Sequence, residues 1–291
     1  MGLKKIVKEI LAHLACLPYQ YGWCNTGIRV MSIDETIEEL LNTEKSMVRF
    51  GDGEMTMMMG KSLQLEEHQT ELADSMRRII SYEQEGLMVA ICSIFGDLKD
   101  YRKESRKFWK DHLLVRRREY VKLCSGEKIY GNATISRCYY MYWDKSKCER
   151  QFGQIRQIWK GKKVVVVEGA ATHNGVGNDL LDTALTVERI IGPSKNAFLR
   201  LDEIRNACLT FPKDRLFLIS LGAAAKPLTE SLFHSGYRAL DIGNLDKEYE
   251  WYLMQAEGKV KLRKHQIIGK EANQQAGYEE YLEQIKVYLE S

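Results

Sequence analysis

The stretch GKKVVVVEG, residues 161–169, decides the fold class. Four consecutive valines leave no polar face, so the strand predicted over Lys163–Glu168 is buried on both sides, as in a parallel sheet covered by helices. Downstream, helices and strands are predicted to alternate: helix Asp179–Thr186, strand Arg189–Ile191, helix Leu201–Leu209, strand 215–222, helix Lys226–His234 and strand 238–243. Because such alternation with short connections favours right-handed βαβ units, this half is predicted to form a doubly wound parallel sheet.

The upstream half shows the same alternation with weaker signals. Its predicted elements are helices at Ile33–Leu41 and Gln69–Tyr82, one or two helices within 100–123, and strands at Met47–Phe50, Leu87–Cys92 and Lys128–Ser136. The predicted fold is therefore α/β: a Rossmann-like, mostly parallel, doubly wound sheet with helices on both faces. We expect a lead-in with an amphipathic helix over 1–32 and one domain over 33–291, with halves of about 33–160 and 161–260 and a C-terminal helix over 272–291.

The composition disfavours several classes of protein. A chain of 291 residues with 44% hydrophobic residues can bury a large core, and its net charge of +3 gives no reason to expect nucleic acid as a partner. The seven cysteines form no CxxC pair, so we expect reduced thiols and a cytoplasmic location. No apolar run approaches the roughly 20 residues that a membrane span needs.

The start of the chain predicts an amphipathic helix. Ile6, Ile10 and Leu14 fall at helical spacing, and Lys4 and Lys8 lie beside them. Such a helix most often covers a core, which is the interpretation we prefer. The alternatives are peripheral contact with an anionic membrane, at its inner face, and contact with a second copy in a homodimer.

Ligands of a doubly wound parallel sheet bind beyond the carboxyl ends of its strands, so the loops there form the candidate site. The first such loop is Asp52-Gly53-Glu54. Asp-Gly is a common turn dipeptide, and a plain turn is one interpretation. The other is that two carboxylates, two positions apart in an extended segment, aim at one cation while Gly53 leaves room for a ligand. Paired hard oxygens suit Mg²⁺ or Mn²⁺ bound to substrate phosphates.

Later loops offer groups for a phosphate. Gly175 and Gly177 precede a predicted helix start, where backbone N–H groups favour an anion. Asn178 and Asp179 stand at that start, and Asp179 would also be a good N-cap. Further candidates for nucleotide binding are Arg137, Lys195, Asn196 and Gly222. The GxGxxG dinucleotide fingerprint is missing, which disfavours a nicotinamide-dependent enzyme.

The segment after the last predicted strand combines acids and aromatic rings. Asp246 and Glu248 lie close in sequence to Tyr249 and Trp251. Carboxylates accept hydrogen bonds from sugar hydroxyls, and rings pack on apolar sugar faces, so the segment suits a sugar. A solvated helix surface would explain the same acids.

Five segments, in the same order along the chain, resemble GT-D-type glycosyltransferases, a bacterial family of sugar-nucleotide enzymes from cell-surface glycan pathways. They are VRFGDGE, YGNATISR, NGVGNDLLD, GPSKNAF and DIGNLDKEYEW, and the resemblance covers roughly residues 33–255. It implies a Rossmann-like fold and metal-dependent transfer of a hexose, glucose or galactose, from a UDP-sugar, with Mn²⁺ or Mg²⁺ as the metal. Asp52 and Glu54 match the family's Asp-x-Glu element and are expected to bind that metal. The loop EGAATHNGVGN departs from the family, because Ala171, Thr172 and His173 stand where a charged segment is expected.

The resemblance also implies an acceptor hydroxyl on a growing cell-surface glycan, linked to lipid or protein. An inverting enzyme needs a carboxylate base that faces the anomeric carbon, for which Glu248 is the first candidate and Asp246 the second. Arg137 or Lys195 would help to stabilise the departing UDP. The alternative function is a noncatalytic nucleotide-sugar-binding or membrane-associated glycan-assembly protein, in which the acidic pair is structural.

Overall fold

The computed structural model describes residues 3–124, 126–265 and 276–289. The helices are α1 (Leu3–Gln20), α2 (Ile33–Asn42), α3 (Asp52–Met58), α4 (Thr70–Ile80), α5 (Lys103–Leu123), α6 (Cys148–Gln157), α7 (Leu201–Leu209), α8 (Ala225–His234), α9 (Leu245–Leu253) and α10 (Tyr278–Gln284). The strands are β1 (Arg29–Val30), β2 (Ser46–Phe50), β3 (Leu87–Ile91), β4 (Ile129–Asn132), β5 (Lys163–Gly169), β6 (Thr186–Gly192), β7 (Leu216–Ser220), β8 (Arg238–Asp241) and β9 (Ile285–Tyr288). Short 3₁₀ helices include Ala133–Arg137 and Arg263–His265.

Within the described residues, the strands form one sheet in the order β1-β4-β3-β2-β8-β7-β5-β6-β9. Every pairing between these strands is parallel, which confirms the predicted α/β, Rossmann-like sheet. Strands of the upstream half lie on one side and strands of the downstream half on the other. The halves meet between β2 and β8, where Met47 lies opposite Leu240. Strand order of this kind opens a crevice at the carboxyl ends of the strands near that junction.

The valines of β5 explain why the sheet is buried on both faces. Val164 and Val166 belong to one apolar core, and Val165 and Val167 belong to the other. Alternate side chains of a strand point to opposite sides, so a run of four valines supplies both cores at once. Helices α2, α4, α5 and α6 contribute to the first core, whereas α7 and α8 contribute to the second.

The helix predicted over Asp179–Thr186 is wrong. The segment forms successive turns, and Thr186 already begins β6. Side chains take over the hydrogen bonds that a helix would have made. Asn178 Oδ1 accepts from the Leu180 N–H at 3.0 Å, and Trp159 Nε1 donates to the Leu180 carbonyl at 3.0 Å. Local bonds of this kind offer the backbone an alternative to a helix.

The C-terminal helix predicted over 272–291 is correct for Tyr278–Gln284 and wrong for Ile285–Tyr288. These last four residues form the edge strand β9 beside β6. Ile285 and Val287 are half-buried, whereas Lys286 and Tyr288 are exposed, which is the period of a strand with one covered face. Residues 272–275 and 290–291 lie outside the described residues.

The opening segment is a helix, as predicted, but core closure is wrong for its large apolar residues. The small residues Ala12 and Cys16 are buried on the α5 side, whereas Ile10, Leu11 and Leu14 each expose about half of their surface. Helix α1 therefore presents its large apolar face outward. Among the described residues, no helix has the length and apolar character needed to cross a membrane.

Candidate active site

A cleft of about 990 Å³ runs along the carboxyl edge of the sheet. Loops that follow β2, β4, β5, β6, β7 and β8 contribute to its wall, so it lies where the strand order predicts ligand binding. The predicted site residues that line it are Asp52, Glu54, Arg137, Lys195 and Gly222. Aromatic side chains also line it: Phe108, Trp109 and Tyr140.

Asp52 and Glu54 lie on the first turn of α3. The extended segment predicted to aim both carboxylates at one cation is therefore wrong. Glu54 Oε2 accepts the Gly51 N–H at 2.8 Å, and Glu54 Oε1 pairs with Lys226 Nζ at 2.5 Å. Although burial opposes ionisation, the Lys226 charge lowers the pKa of Glu54. Asp52 is exposed at the cleft, where desolvation by the walls and the Glu54 charge raise its pKa.

The donor set fits a divalent cation that arrives with its substrate. Within the described residues, no group of three or more His, Cys, Asp or Glu is arranged to hold a metal ion. Mg²⁺ is usually held by one or two carboxylates together with substrate phosphates and water. Asp52 and Glu54 would supply the protein's share of such a site, and phosphate oxygens would have to complete it.

Glu54 ends a chain of alternating charges that crosses the junction of β2 and β8. Lys226 also pairs with Asp241 Oδ2 at 3.2 Å, and Asp241 Oδ1 pairs with Arg49 Nη2 at 2.9 Å. Asp241 is fully buried, and Arg49 and Lys226 lower its pKa although burial opposes this. Buried charges are tolerated only when they are paired, so this chain fixes the position of Glu54.

Gly243 shows how closely the backbone encloses the end of that chain. A Cβ atom at Gly243 would lie 1.8 Å from Arg49 Nη2, and its φ of 47° is in the left-handed region. Arg49 also donates to the Ala133 carbonyl at 3.2 Å and hydrogen-bonds Ser136. The floor of the cleft is therefore a rigid, fully paired unit.

Four cations in the cleft wall differ from Lys226 and Arg49. Arg137, Lys195, Lys247 and Lys259 line the cleft, and the part of the chain that the structure describes gives none of them a carboxylate within ion-pair distance. Burial lowers the pKa of Lys247, and the charge of Arg137 lowers it further. The charges of Arg137 and Lys247 repel each other, so this part of the wall is suited to an anionic ligand.

Asp246 of α9 lies behind one wall, fully buried. It pairs with Lys264 at 2.9 Å, and His265 Nε2 lies 2.7 Å from its Oδ2. Although burial opposes this, the His265 hydrogen bond and the Lys264 charge hold the pKa of Asp246 at about 2. An ionised carboxylate can only accept hydrogen bonds, so His265 donates from Nε2. Its Nδ1 is buried without a partner among the described residues, and His265 itself lines the cleft.

Glu248 is also fully buried and is not among the described residues that line the cleft. Its Oε2 accepts the N–H groups of Tyr139 and Tyr140 at 3.2 and 2.8 Å, and its Oε1 has no partner in the described chain. Burial raises the pKa of Glu248. The two predicted base candidates therefore reach the cleft only through neighbours, Asp246 through His265 and Glu248 through Tyr140.

The loop from Gly175 to Asp179 lies against the same wall, and no helix begins there. The Gly175 N–H and Asn178 Nδ2 donate to Asp246 at 2.8 and 2.9 Å. Asp179 pairs with Arg156 at 2.7 Å. Gly175 and Gly177 have φ values of 75° and 74°, which glycine adopts readily. The helix N-terminus predicted to bind phosphate is absent, and Gly175 and Asn178 instead hold Asp246 in place.

Asn196 and Gly222 are placed differently from each other. Asn196 Oδ1 accepts the Glu67 N–H at 2.8 Å, and its own N–H donates to the Leu65 carbonyl at 2.8 Å, so it joins two loops of the rim. Gly222 lines the cleft, and a Cβ atom there would meet nothing within 4 Å. Asn196 therefore positions the loop that carries Lys195.

Sequence reasoning did not select Lys226, Lys247, Lys259 or His265 as site residues. Lys226 follows a loop of small residues at the carboxyl end of β7, and that position was the available signal. Lys259 and His265 come from an irregular segment after α9, where no periodicity marks them. Only the folded chain brings them to the cleft.

Comparison with known proteins decides the family. The family model described as "Glycosyltransferase GT-D fold" matches residues 47–270, which is most of the chain. The chain belongs to the GT-D glycosyltransferases. The resemblance of the five segments is thereby confirmed.

Two curated proteins are similar to this GT-D glycosyltransferase. It is 40% identical over 236 residues to a probable glycosyl transferase, Gly, of Streptococcus gordonii, and 40% identical over 235 residues to the glycosyltransferase GlyD of Streptococcus pneumoniae serotype 4. The matches cover 81% and 80% of this chain but 34% and 29% of those proteins. The chain thus spans about a third of the length of these relatives.

Solved structures agree with the GT-D assignment. A structure described as a new glycosyltransferase with domain of unknown function 1792, from Streptococcus sanguinis, is 38% identical, with a TM-score of 0.84, and the match covers 90% of this chain and 99% of that one. A second, described as showing that this domain has a distinct glycosyltransferase fold, is 36% identical with a TM-score of 0.84 over 91% of this chain and 96% of that one.

Proposed function

We propose that this GT-D protein is a metal-dependent hexosyltransferase that moves glucose or galactose from a UDP-sugar to a hydroxyl of a growing cell-surface glycan, lipid-linked or protein-linked. The observation that carries the proposal is the cleft, which Asp52 and Glu54 line together with four cations that have no ion-paired carboxylate within the described ranges of the chain. A diphosphate needs such a combination of a carboxylate-held metal ion and fixed positive charge. We place the reaction in the cytoplasm, at the inner face of the membrane.

Asp52 and Glu54 would hold Mn²⁺ or Mg²⁺ together with phosphate oxygens of the donor. When bound, the ion supplies positive charge against the negative charge that develops on the departing diphosphate. Lys226 restrains Glu54, so the inner carboxylate is positioned before the donor binds. Arg137 would bind phosphate oxygens through its planar guanidinium, and Lys195 would add a second charge. Gly222, which has no side chain, leaves space for the nucleotide.

We propose His265 as the proton acceptor, with Asp246 acting through it. The proton of the acceptor hydroxyl would pass to His265 Nδ1, which is buried and would have to become accessible from the cleft, as the acceptor oxygen attacks the anomeric carbon. The bond from that carbon to the diphosphate breaks, and its electron pair leaves with the diphosphate. If the acceptor attacks from the face opposite the diphosphate, this single displacement inverts the configuration at that carbon. Asp246 would stabilise the imidazolium, as a buried carboxylate does in acid–histidine pairs. Glu248 is the second candidate, and it would act only if the Tyr139–Tyr140 turn opened.

Calorimetry with UDP, in the presence and absence of Mn²⁺, tests the donor site. Metal-dependent UDP binding should be lost in Asp52→Asn and in Glu54→Gln, and kept in the matched variant Asp202→Asn, whose exposed carboxylate lies on α7 outside the cleft. Binding that is unchanged in the first two variants would contradict the metal assignment.

A panel of UDP-sugars tests catalysis and donor choice together. We expect slow, metal-dependent hydrolysis of UDP-glucose or UDP-galactose, measured as released UDP. Tight UDP-sugar binding with no hydrolysis, and no transfer to any acceptor, would support the alternative, a noncatalytic nucleotide-sugar-binding or glycan-assembly protein.

A further inference from the structure

The outer face of α1 is an apolar surface that the described chain does not cover. Ile6, Val7, Ile10, Leu11 and Leu14 expose between 39% and 53% of their surface. At 100° per residue, they fall on one side of the helix, opposite Ala12. A helix that closes a core buries its large apolar residues, and α1 does the reverse.

Small and polar contacts hold the inner face of α1 against α5. Ala12 and Cys16 are 1% and 4% exposed. Arg117 of α5 donates to the Ala15 carbonyl at 2.8 Å, and its guanidinium lies 3.9 Å from the Tyr19 ring centroid. Glu9, the only acid of α1, pairs with Lys107 of α5. These contacts fix the helix with its apolar face directed away from the protein.

Positive charge is concentrated on the same two helices. Together α1 and α5 carry eleven Lys and Arg against four Asp and Glu, whereas the whole chain has a net charge of only +3. The rest of the chain is therefore net acidic. Lys4, Lys5 and Lys8 are exposed on α1 itself. A surface that combines apolar side chains with this excess of cations is complementary to an anionic bilayer.

Two aromatic residues follow directly after α1. Tyr21 and Trp23 are 62% and 75% exposed, and their rings stack at a centroid distance of 5.4 Å. Amphipathic aromatic side chains are favoured at the boundary between lipid and water. They extend the exposed apolar surface beyond the end of the helix.

The same surface is connected to the cleft through α5. Helix α1 runs parallel to α5, since Glu9 contacts Lys107, and Arg117 contacts Ala15. The first turns of α5 line the cleft with Glu104 and Phe108. The beginning of α1 therefore lies beside the part of α5 that borders the cleft.

We propose that the outer face of α1, with Tyr21 and Trp23, docks on an anionic lipid bilayer and holds the cleft next to the membrane surface. This docking deepens the proposed function, because it favours a lipid-linked acceptor over a protein-linked one. In that respect alone, it rests on the proposed function. The helix lies in the interface and does not span it. Apolar residues enter the boundary of head groups and acyl chains. Lys4, at the edge of the apolar face, reaches anionic head groups, and the other two lysines add longer-range attraction.

A second copy of the chain is the competing occupant. Two copies that paired through this face would bring two groups of lysines and two strongly basic α1–α5 units into one assembly, and like charges oppose such pairing. An anionic bilayer is attracted by the same charges. The charge distribution therefore favours lipid.

Flotation with vesicles tests the proposal on the full chain. We expect co-flotation with vesicles of phosphatidylcholine and phosphatidylglycerol, and little with pure phosphatidylcholine. Raising the salt concentration should weaken binding, because screening reduces the attraction to anionic lipid. Absence of binding to either vesicle at low salt would overturn the proposal.

Variants separate the two parts of the surface. The double variant Ile10→Glu/Leu14→Glu should lower vesicle binding at least about tenfold, and Lys4→Glu/Lys5→Glu/Lys8→Glu should do the same. The matched control is Leu185→Glu/Leu253→Glu, at two leucines of 63% and 48% exposure outside both α1 and the cleft, which should bind as wild type does. Equal loss in the control would overturn the assignment to α1.

Sedimentation and activity distinguish this proposal from its competitors. Concentration-dependent dimers that dissociate in Ile10→Glu/Leu14→Glu, without vesicle binding, would replace the bilayer with a second copy. Hydrolysis of UDP-sugar in solution should be unchanged in the α1 variants, because α1 does not line the cleft. Vesicle binding in a protein that lacks all transferase activity would refute the proposed function and leave the docking surface in place.

Discussion

The cations of the cleft fall into two groups that differ in how they are paired. On the floor, Arg49 and Lys226 alternate with Asp241 and Glu54 in an unbroken chain of ion pairs. On the wall, Arg137 and its three neighbouring lysines have no carboxylate partner within the described residues. The paired charges of the floor stabilise the fold, whereas the unpaired charges of the wall are available to bind an anionic ligand. The two groups should therefore respond differently to substitution.

The largest expected effect is on the floor. Lys226→Met leaves Glu54 and Asp241 without their shared cation, and removing one partner of a buried ion pair costs about 3–5 kcal/mol. Urea denaturation should show this loss in the free energy of unfolding. Lys195→Met, at an exposed wall position, should change it by less than about 0.5 kcal/mol. If Lys226→Met were as stable as wild type, the cations of the floor would not differ from those of the wall in their contribution to stability.

Next in size is the proposed proton acceptor, which belongs to neither group of cations. His265→Gln should lower kcat by about 100-fold or more with little change in KM, because a general base acts on the chemical step. The control is His234→Gln, at an exposed histidine outside the cleft. Added imidazole should partly restore activity to His265→Ala. Loss of activity without such rescue would indicate that His265 only supports the wall.

A smaller effect concerns the buried acid of the rim. Burial raises the pKa of Glu66 to about 7, so the folded protein binds its proton more tightly than the unfolded chain does. This group's contribution to stability is therefore greatest below about pH 4.5 and falls as the pH rises to about 7. Glu66→Gln should stabilise the protein at pH 8 by about 2 kcal/mol and have little effect near pH 4.5. The exposed neighbour Glu67, changed to Gln, should show no such pH dependence in thermal unfolding.

The smallest expected effect concerns Arg137 on the wall of the cleft. Arg137→Met should weaken UDP binding about tenfold in calorimetry and leave the free energy of unfolding unchanged, because a charge-assisted hydrogen bond is lost only in the complex. The affinity difference should shrink as salt is added. Arg150→Met, at a surface arginine paired with Asp34, is the matched control. Destabilisation of Arg137→Met would mean that the wall is also structural.

Much of the fold was readable from local pattern. The valine run of β5 fixed a strand buried on both faces, and the alternation around it indicated the parallel sheet. The carboxyl-end rule then led to Asp52, Arg137 and Lys195 at the cleft. The fold and the place of these residues at the cleft could be predicted because they depend on neighbouring residues or on topology, whereas the roles of the residues stay predictions.

The wrong predictions concern contacts between residues that lie far apart in the sequence. The turns over 179–185 are held by the contact of Trp159 with Leu180, and Asp246 holds Asn178 just before them, which no local pattern shows. Asp246 was predicted as the second candidate base, with an acid on a solvated helix surface as the alternative. It is buried instead, because Lys264 and His265 return from a later segment to pair with it. Lys226 escaped selection because its two partners lie more than a dozen residues away, one of them in the other half of the chain. Sequence patterns predict which residues are buried better than they predict the hydrogen-bond and ion-pair partners that compensate for burial.

The junction of β2 with β8 has a consequence for how the protein can be divided. Glu54 comes from one half of the chain, whereas the lysine and aspartate that restrain it come from the other. Neither half could orient this carboxylate alone. Donor binding would therefore require correct association of the two halves. If the chain is cut near 160–162, donor binding should be recovered only when both fragments are supplied together.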